Sequence, residues 1–340
     1  MNQFNNLTVK GTALANYARR SQFIFVYDST DCIPNGDPFT GEQRYDEATS
    51  RVLISDVRIK RNIRDFLIEM NVLLKDKDQK EIYMQTIDKN LLDEKDKKTG
   101  TGSSARLRIL ANKYPELSVG GKFDTASSLL KFFDVVLFGG IATLDKDATG
   151  PKGKFTANAQ FTGPVQISNL NASLNKVVLR KHQNTSHFQS DMDNEQGAIG
   201  TTSLVPYSLN QILGSIDNFK AVKTGLTENQ VLLMLDALWS SLSSSVCETR
   251  SKNDQNSRLL IKINLTSPVA KISDLREKIK IVDPNNTDYR KISDITWDFS
   301  GLAALVASDK IDSVQYRTDD SIASIFTDQM KAVASKLIPL

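Results

Sequence analysis

The chain has 340 residues, of which 40% are hydrophobic and 24% charged, so it contains enough apolar material for a sizeable core. Its 43 basic and 40 acidic side chains give a net charge of only +3, and this total does not indicate a nucleic-acid partner. No apolar run approaches the ~20 residues of a membrane span, and the polar start at Met1–Thr8 does not fit a signal peptide, so we expect a cytoplasmic protein.

The cysteines and histidines do not form a metal-binding pattern. Cys32 and Cys247 lie far apart in the sequence, and His182 and His187 have no cysteine near them. Zinc sites use closely spaced ligands, and disulfide frameworks use paired cysteines. We therefore expect free thiols, no metal site and no cofactor.

The first predicted element is a strand at Gln22–Tyr27. Phe23, Phe25 and Tyr27 share one face of it, and the opposite face is also apolar. Such a strand is either covered on both faces or covered on one face and used for binding on the other. Aromatic rings on a sheet can stack on bases, but we favour core packing.

A long loop is predicted from Asp28 to Gln43, around the sequence Pro34-Asn35-Gly36-Asp37-Pro38. Asn-Gly between prolines favours a tight turn, and a loop of this length is often functional. Asp28, Asp31 and Asp37 have two interpretations. They are either ligands of a metal for phosphodiester cleavage or, more commonly, turn-forming side chains.

A helix predicted at Asp56–Met70 contains the most basic segment of the chain. Between Arg51 and Arg64 there are five basic residues and one acidic residue. The helical period places Lys60 and Arg64 one turn apart on an accessible flank of the apolar stripe, where they could contact phosphates. A solvated helix face is the alternative interpretation.

Residues 71–154 resemble an insertion with two charged or Gly-rich stretches, Asp93–Ser104 and Thr143–Lys154. An apolar helix is predicted between them at Ser127–Phe138, ending at Gly139-Gly140.

The second half of the chain contains four further predicted strands, two helices and an arm. The strands are Ala159–Ser168, irregular at Gly163-Pro164, then Ile199–Tyr207, Leu259–Leu265 and Ile311–Tyr316; the helices are Leu226–Val246 and Asp320–Leu337; the arm is Lys181–Gly197.

Without the insertions, the main elements follow the order β-α-β-β-α-β. This order predicts an α+β, ferredoxin-like (RRM-like) fold. The fold supports RNA-binding modules and many unrelated activities, so it does not decide the function. The sequence contains no GxxxxGK[ST] loop, no HExxH motif and no standard RNA-recognition consensus.

Several short motifs, in order, resemble those of the Cas-seven family, the repeated backbone subunits of type I CRISPR Cascade complexes, with subtype I-B as the closest match. They are Asn35-Gly36-Asp37-Pro38, Ser55–Arg64, Phe133–Gly139, Phe161–Gln166, Ser173–Asn175, Gly200–Tyr207, and Thr249–Lys252 followed by Arg258-Leu259-Leu260. The resemblance spans about residues 20–266, and its specificity lies in the order of the motifs.

The resemblance implies a single hand-shaped domain over residues 1–340. The ferredoxin-like palm would comprise about 18–70, 155–178, 198–267 and parts of 268–340; the fingers insertion would be about 71–154 and the β-hairpin thumb about 178–200.

The resemblance also implies a non-catalytic role in antiviral defence. Copies of the protein would polymerise along the spacer of a CRISPR RNA, and each thumb would displace one base while the others pair with the target DNA strand. The remaining partners would be the 5′-end cap subunit, the large subunit and the repeat endonuclease.

The guide should be bound through its phosphates, because reading the bases would restrict the spacer. The candidate RNA-binding residues are Asn35, Gly36, Arg58, Lys60, Arg61, Arg64, Gln166, Ser168, Arg180, Arg250, Ser251 and Lys252. Phe188 and Met192 are candidates to wedge against the displaced base, and a contact with a partner subunit is equally compatible with them.

Two other functions stay open at this point. Related backbone subunits of type III complexes cut RNA with a loop aspartate, which makes a metal-dependent ribonuclease using Asp28, Asp31 and Asp37 the first alternative. A transcriptional regulator is the second, although no helix-turn-helix pattern is evident.

Overall fold

The computed structural model describes residue 17 and residues 19–86, 102–145, 149–150, 153–185, 199–249 and 251–340. Over these residues the chain is a mixed α and β structure that divides into two compact units. The first unit consists of the described parts of Met1–Arg19, Ile63–Gln166 and Ile216–Ala237, and the second of Arg20–Asn62, Ile167–Ser215 and Leu238–Leu340.

Eight α-helices lie within the described residues. They are α1 (Asp56–Asn71), α2 (Ser103–Lys113), α3 (Thr125–Leu129), α4 (Phe133–Phe138), α5 (Asn218–Thr224), α6 (Glu228–Ser243), α7 (Ser300–Ala307) and α8 (Asp320–Met330). The predicted helices at the positions of α1 and α6 are confirmed. The last predicted helix is shorter than expected, because the chain tightens into a 3-10 helix at Lys331–Lys336.

One predicted helix, Ser127–Phe138, is wrong as a single element. Asp124 caps α3 by accepting a hydrogen bond from the Ser127 N–H, and α3 ends at Leu129. The N–H of Phe133 donates to the carbonyl oxygen of Glu81 at 2.8 Å, outside the helix, so α4 starts a new axis there. The predicted glycine end is confirmed, since Gly139 follows α4 with a φ of 82°.

The strands of the described residues number eighteen. They are β1 (Ser21–Cys32), β2 (Tyr45–Asp46), β3 (Arg51–Ser55), β4 (Ser118–Val119), β5 (Lys122–Phe123), β6 (Gly139–Ala142), β7 (Thr149–Gly150), β8 (Gly153–Phe155), β9 (Ala159–Thr162), β10 (Val165–Ile167), β11 (Leu170–Ala172), β12 (Arg180–Thr185), β13 (Ile199–Ile216), β14 (Gln255–Leu265), β15 (Lys280–Ile281), β16 (Trp297–Asp298), β17 (Ile311–Thr318) and β18 (Leu337–Pro339).

The main sheet has the order β10-β13-β1-β14-β17-β18, with β12 paired to β13. The first predicted strand is therefore central, and Phe25 lies opposite Leu260 in the antiparallel pair β1–β14. Phe23, Phe25 and Tyr27 are fully buried, as are the residues of the opposite face. Core packing of these aromatic rings, the interpretation favoured from the sequence, is confirmed.

The strand β1 runs further than predicted and shortens the loop that follows it. Asp28 and Ser29 continue the ladder with β14, opposite Asn256 and Gln255, so the chain stays extended as far as Cys32. The assignment of Asp28 and its neighbours to a loop is therefore wrong, because a partner strand more than 200 residues later satisfies their backbone.

The predicted strand Ala159–Ser168 is two strands in two different sheets. β9 pairs with β6, and β10 joins the main sheet. The chain turns at Gly163, where a Cβ atom would lie 2.1 Å from the carbonyl carbon of Phe138. The predicted Gly-Pro irregularity is therefore a strand break, at a position where the backbones approach too closely for a side chain.

Each unit has its own hydrophobic core. In the first unit the core gathers around Leu107, Phe123 and Val135. In the second unit it lies on one face of the main sheet and includes Ile24, Ile261, Phe299 and Phe326. Small sheets add to each unit, among them β11-β3-β2 and β15-β16 in the second. None of the helices in the described part of the chain has the length and apolarity that a membrane span requires.

Candidate nucleic-acid interface

The loop after β1 is joined to the start of α1 by a buried asparagine. The side-chain oxygen of Asn35 accepts a hydrogen bond from the Ser55 hydroxyl at 3.1 Å, and the Ser55 hydroxyl accepts one from the N–H of Arg58 at 3.3 Å. Asn35 is only 3% exposed, and its Nδ2 has no hydrogen-bond acceptor among the described residues. The arrangement leaves one buried amide donor without an acceptor in the described part of the chain, beside the N-terminus of α1.

A third segment reaches the same end of β1 from the loop between α6 and β14. The Lys252 ammonium donates to the carbonyl oxygen of Ile33 at 2.9 Å, and the Ile33 N–H donates to the carbonyl oxygen of Ser251 at 2.8 Å. Ser251 is exposed and Lys252 is half-buried. The structure therefore brings together loop and helix residues that lie about 200 positions apart in the sequence.

The electrostatics of this region reflect two cations close to each other. Burial, together with the positive charge of Arg58, lowers the pKa of Lys252 to about 8. Burial also raises the pKa of the Cys32 thiol to about 12, against the opposing effect of Lys252. We refer to Asn35, Ser55, Arg58 and Lys252 as the β1 corner. An anion there would relieve the repulsion between the two cations.

The turn after Asn35 is organised by side chains. Gly36 forms an isolated bridge with Gln43, and the Gln43 side chain accepts a hydrogen bond from the Asn35 N–H at 3.0 Å. Asp37 accepts a hydrogen bond from the N–H of Phe39 at 2.9 Å, which holds the pKa of its carboxyl below the usual value. Gln43 was not singled out from the sequence, and only its position at the end of a long loop could have indicated its role.

The basic residues further along α1 have different surroundings. Lys60 pairs with Asp56 at 2.8 Å, and each side chain is 18% exposed. Arg61 is exposed. Arg64 pairs with Asp134 at 2.8 Å and is 12% exposed, so the prediction of an accessible flank is wrong for this residue. The physical reason is that a buried carboxylate of the same unit needs a compensating charge.

The candidates on the later strands have protein partners. The Gln166 side chain donates to the carbonyl oxygen of Gly163 at 2.7 Å, and the N–H of Ser168 donates to the carbonyl oxygen of Leu213 at 2.8 Å. Arg180 forms an exposed ion pair with Asp31 at 2.9 Å. Arg250, Phe188 and Met192 lie outside the described residues.

The three aspartates proposed as metal ligands have separate partners. Asp28 is buried, accepts hydrogen bonds from Arg258 at 2.9 Å and Tyr207 at 3.1 Å, and has its pKa raised by burial. Asp31 pairs with Arg180, and Asp37 shapes the turn described above. Over the described ranges, no group of three or more His, Cys, Asp or Glu side chains could hold a metal ion.

Comparison with known proteins shows which protein family the chain matches. A family model described as "CRISPR-associated protein Cas7" matches residues 19–300. The "CRISPR-associated protein Cas7" of Haloferax volcanii is 24% identical over 312 residues, which cover 87% of this chain and 85% of that protein.

Two solved structures resemble the chain more distantly. They are a chain of a "CRISPR RNA-guided surveillance complex, pre-nicking", at 11% identity and a TM-score of 0.47, and a chain of a "CRISPR RNA-guided surveillance complex", at 10% identity and a TM-score of 0.42. Each similarity covers 92% of this chain, and 100% and 99% of the respective solved chains. Since the family model matches most of the sequence, this protein belongs to the CRISPR-associated Cas7 family.

Proposed function

We propose that this protein binds the phosphate backbone of a CRISPR RNA without cutting it, as a repeated backbone subunit of a type I Cascade surveillance complex, of subtype I-B. Membership of the Cas7 family supports the proposal. The single observation that carries the RNA contact is the β1 corner. There Arg58 and Lys252 lie within electrostatic range of each other, and the Asn35 Nδ2 beside them has no acceptor among the described residues.

The chemistry of the β1 corner suits a phosphate better than a base. Two neighbouring cations repel each other until an anion binds between them, and the amide adds a hydrogen-bond donor. Contacts of this kind do not depend on the base, which a guide of arbitrary sequence requires. Exposed Arg61 extends the positive surface along α1, whereas Arg64 serves the fold of the first unit.

The strand order of the main sheet supports the ferredoxin-like palm. We take β1, β10, β13 and β14 as strands one to four of the β-α-β-β-α-β pattern. In the sheet, β10 lies beside β13, β13 beside β1, and β1 beside β14, so the strand order is two, three, one, four. This is the arrangement of strands in ferredoxin-like sheets. The crossover helices of the pattern are α1 and α6.

The antiparallel pair β12–β13 supports the proposed thumb. Arg180 lies opposite Leu204, and the pairing continues to Thr185 opposite Ile199. A hairpin at this position is suited to reach over bound RNA. We propose that it contacts the next copy of the protein along the guide, and that target DNA and the cap, large and endonuclease subunits complete the assembly.

The test is binding of a fluorescent single-stranded RNA to the full chain, measured by anisotropy at several salt concentrations. The test variant carries Arg58→Glu and Lys252→Glu. The control carries Lys271→Glu and Lys310→Glu, the same change in charge at exposed positions. The carbonyl oxygen of Lys310 accepts a hydrogen bond from the N–H of Thr266, and the neighbouring Leu265 N–H donates to Arg20, just before β1. Lys310 therefore lies near the start of β1, whereas the β1 corner is at the other end of this 12-residue strand. A strand of this length spans about 40 Å.

We expect the Arg58 and Lys252 variant to lose at least tenfold in affinity and the control to lose less than threefold. The log–log salt slope of the variant should become shallower by about 1.4, since each lost phosphate contact accounts for about 0.7 with single strands. Equal affinities and equal slopes for variant and control would refute the proposed contact. Cleavage of the RNA in the presence of Mg²⁺ would refute the non-catalytic role.

A further inference from the structure

The second unit contains a cavity of about 520 Å³ that shares no residue with the β1 corner. Its walls come from β3, β11 and β13 and from the segment around Arg276 and Pro284. Ligand pockets in proteins typically have volumes of about 300–1,000 Å³, so this cavity is large enough for a small organic molecule.

Two arginines line the cavity, Arg51 and Arg276. Arg51 donates from Nη1 to the carbonyl oxygens of Ser173 and, at 2.6 Å, Leu174. Neither Arg51 nor Arg276 forms an ion pair with a carboxylate of the described residues; the nearby Glu277 pairs with Lys280 at 3.3 Å. Burial lowers the pKa of Arg51 and the charge of Arg276 lowers it further, while the negative charge of Glu277 acts in the opposite direction. Two partly buried guanidinium groups close to each other are typical of an anion site.

A buried glutamine provides a second, independent feature of the cavity. Gln211 is 1% exposed, and its Nε2 faces the carbonyl oxygen of Ile279 at 3.5 Å, which determines the orientation of the amide. Its Oε1 has no hydrogen-bond donor among the described residues. Buried acceptors are normally satisfied, so a molecule in this cavity should donate a hydrogen bond to Gln211.

The rest of the wall is mixed. Leu174, Ile281 and Pro284 form an apolar part, Glu277 is paired with Lys280, and the Asp46 carboxylate accepts a hydrogen bond from the Thr49 hydroxyl at 2.5 Å. The cavity thus combines cations for an anion, one acceptor for an N–H or O–H group, and an apolar surface. A bare anion such as inorganic phosphate has no apolar part. An acidic peptide has all three, but a phosphate monoester carries about −1.5 to −2 charges against −1 for a carboxylate, which matches two guanidinium groups better.

We propose that this cavity binds a nucleoside phosphate, either as a free nucleotide or as one residue of an RNA chain. Arg51 and Arg276 contact the phosphate, Gln211 accepts a hydrogen bond from a sugar hydroxyl or base amino group, and the apolar wall contacts the base. The proposal does not depend on guide binding at the β1 corner, because the two sites use different residues.

The test is calorimetric titration of the full chain with adenosine 5′-monophosphate. We expect saturable binding that weakens at least tenfold in Arg276→Glu and changes less than twofold in Lys310→Glu, a matched charge reversal at an exposed position outside the cavity. Gln211→Leu removes the acceptor at similar volume, so it should weaken binding of the nucleotide but leave binding of inorganic phosphate unchanged.

Three results would overturn the proposal: no saturable binding of the nucleotide at millimolar concentration, equal affinity in Arg276→Glu, or inorganic phosphate or a glutamate-rich peptide binding as tightly as the nucleotide. If Arg276→Glu also weakens binding of a single-stranded RNA, the ligand is an RNA residue; if RNA affinity is unchanged, it is a free nucleotide. The variant of Arg58 and Lys252 should bind the nucleotide normally, which separates this test from the test of guide binding.

Discussion

Arg64 and Asp134 form an ion pair that is nearly closed to solvent, with Nε 2.8 Å from Oδ2 and side-chain exposures of 12% and 2%. The Asp134 carboxylate also accepts hydrogen bonds from the N–H groups of Tyr83 and Met84, at 2.7 and 3.1 Å. The Arg64 guanidinium lies 5.3 Å from the centroid of the Phe138 ring. This pair therefore connects three separate stretches of the first unit.

Replacing Asp134 by alanine should cost about 3 kcal/mol of unfolding free energy, because Arg64 then remains partly buried without its counter-charge. The measurement is urea denaturation followed by circular dichroism. Glu69→Ala, at an exposed position of α1, serves as the control and should change stability by less than about 0.5 kcal/mol. A loss below 1 kcal/mol in Asp134→Ala would show that the pair contributes little.

RNA binding at the β1 corner should depend on pH through Lys252. The pKa of Lys252 is lowered to about 8, so its amino group is positively charged at pH 7 and loses this charge as the pH rises above 8. One unit above the pKa about one-tenth of the lysines remain charged, so affinity should fall roughly tenfold between pH 7 and pH 9. The measurement is anisotropy of labelled RNA at constant ionic strength.

The matched variant for this pH experiment is Lys252→Arg, since a guanidinium stays charged over the whole range. Its affinity for RNA should be nearly the same at pH 7 and pH 9. A pH step that persists in Lys252→Arg would assign the titration to another group.

Gly214 on β13 should not tolerate a side chain, because a Cβ atom there would lie 2.1 Å from the ring of Phe23 on β1. Gly214→Ala should therefore destabilise the protein by about 1–3 kcal/mol through overpacking. In Gly102→Ala, the control, the added methyl group meets nothing within 4 Å. Adding Phe23→Leu to Gly214→Ala should recover part of the loss, and no recovery would argue against this contact as the cause.

The thiol of Cys32 should be unreactive in the folded protein. It is 2% exposed and its pKa is raised to about 12, so almost no thiolate exists at pH 8. In a Cys247→Ser background, we expect no reaction with Ellman's reagent at pH 8 over an hour and complete reaction in 6 M urea. Complete modification of the folded protein within a minute would contradict the burial of this side chain.

The sequence by itself determined the local elements with strong periodicity. The apolar spacing along α1 and the alternation in β1 both predicted the buried positions, since the period of a helix or strand dictates which side chains share a face. The turn around Asn35 and Gly36 was also predictable, because those residue types have strong local preferences. The resemblance to the Cas-seven family, not periodicity, identified Arg58 and Lys252 as candidate RNA-binding cations, each within its own motif.

Only the tertiary structure decided which partners these side chains have. Arg64 was predicted as an accessible cation, but its environment is set by Asp134, which lies 70 positions later. Arg58 and Lys252 also come close together from segments that are far apart in the chain. The residues that line the cavity around Gln211 likewise come from distant segments. Local periodicity specifies which face a residue occupies, whereas its charge partners and its access to solvent depend on long-range packing, which the spacing of residues along the chain does not encode.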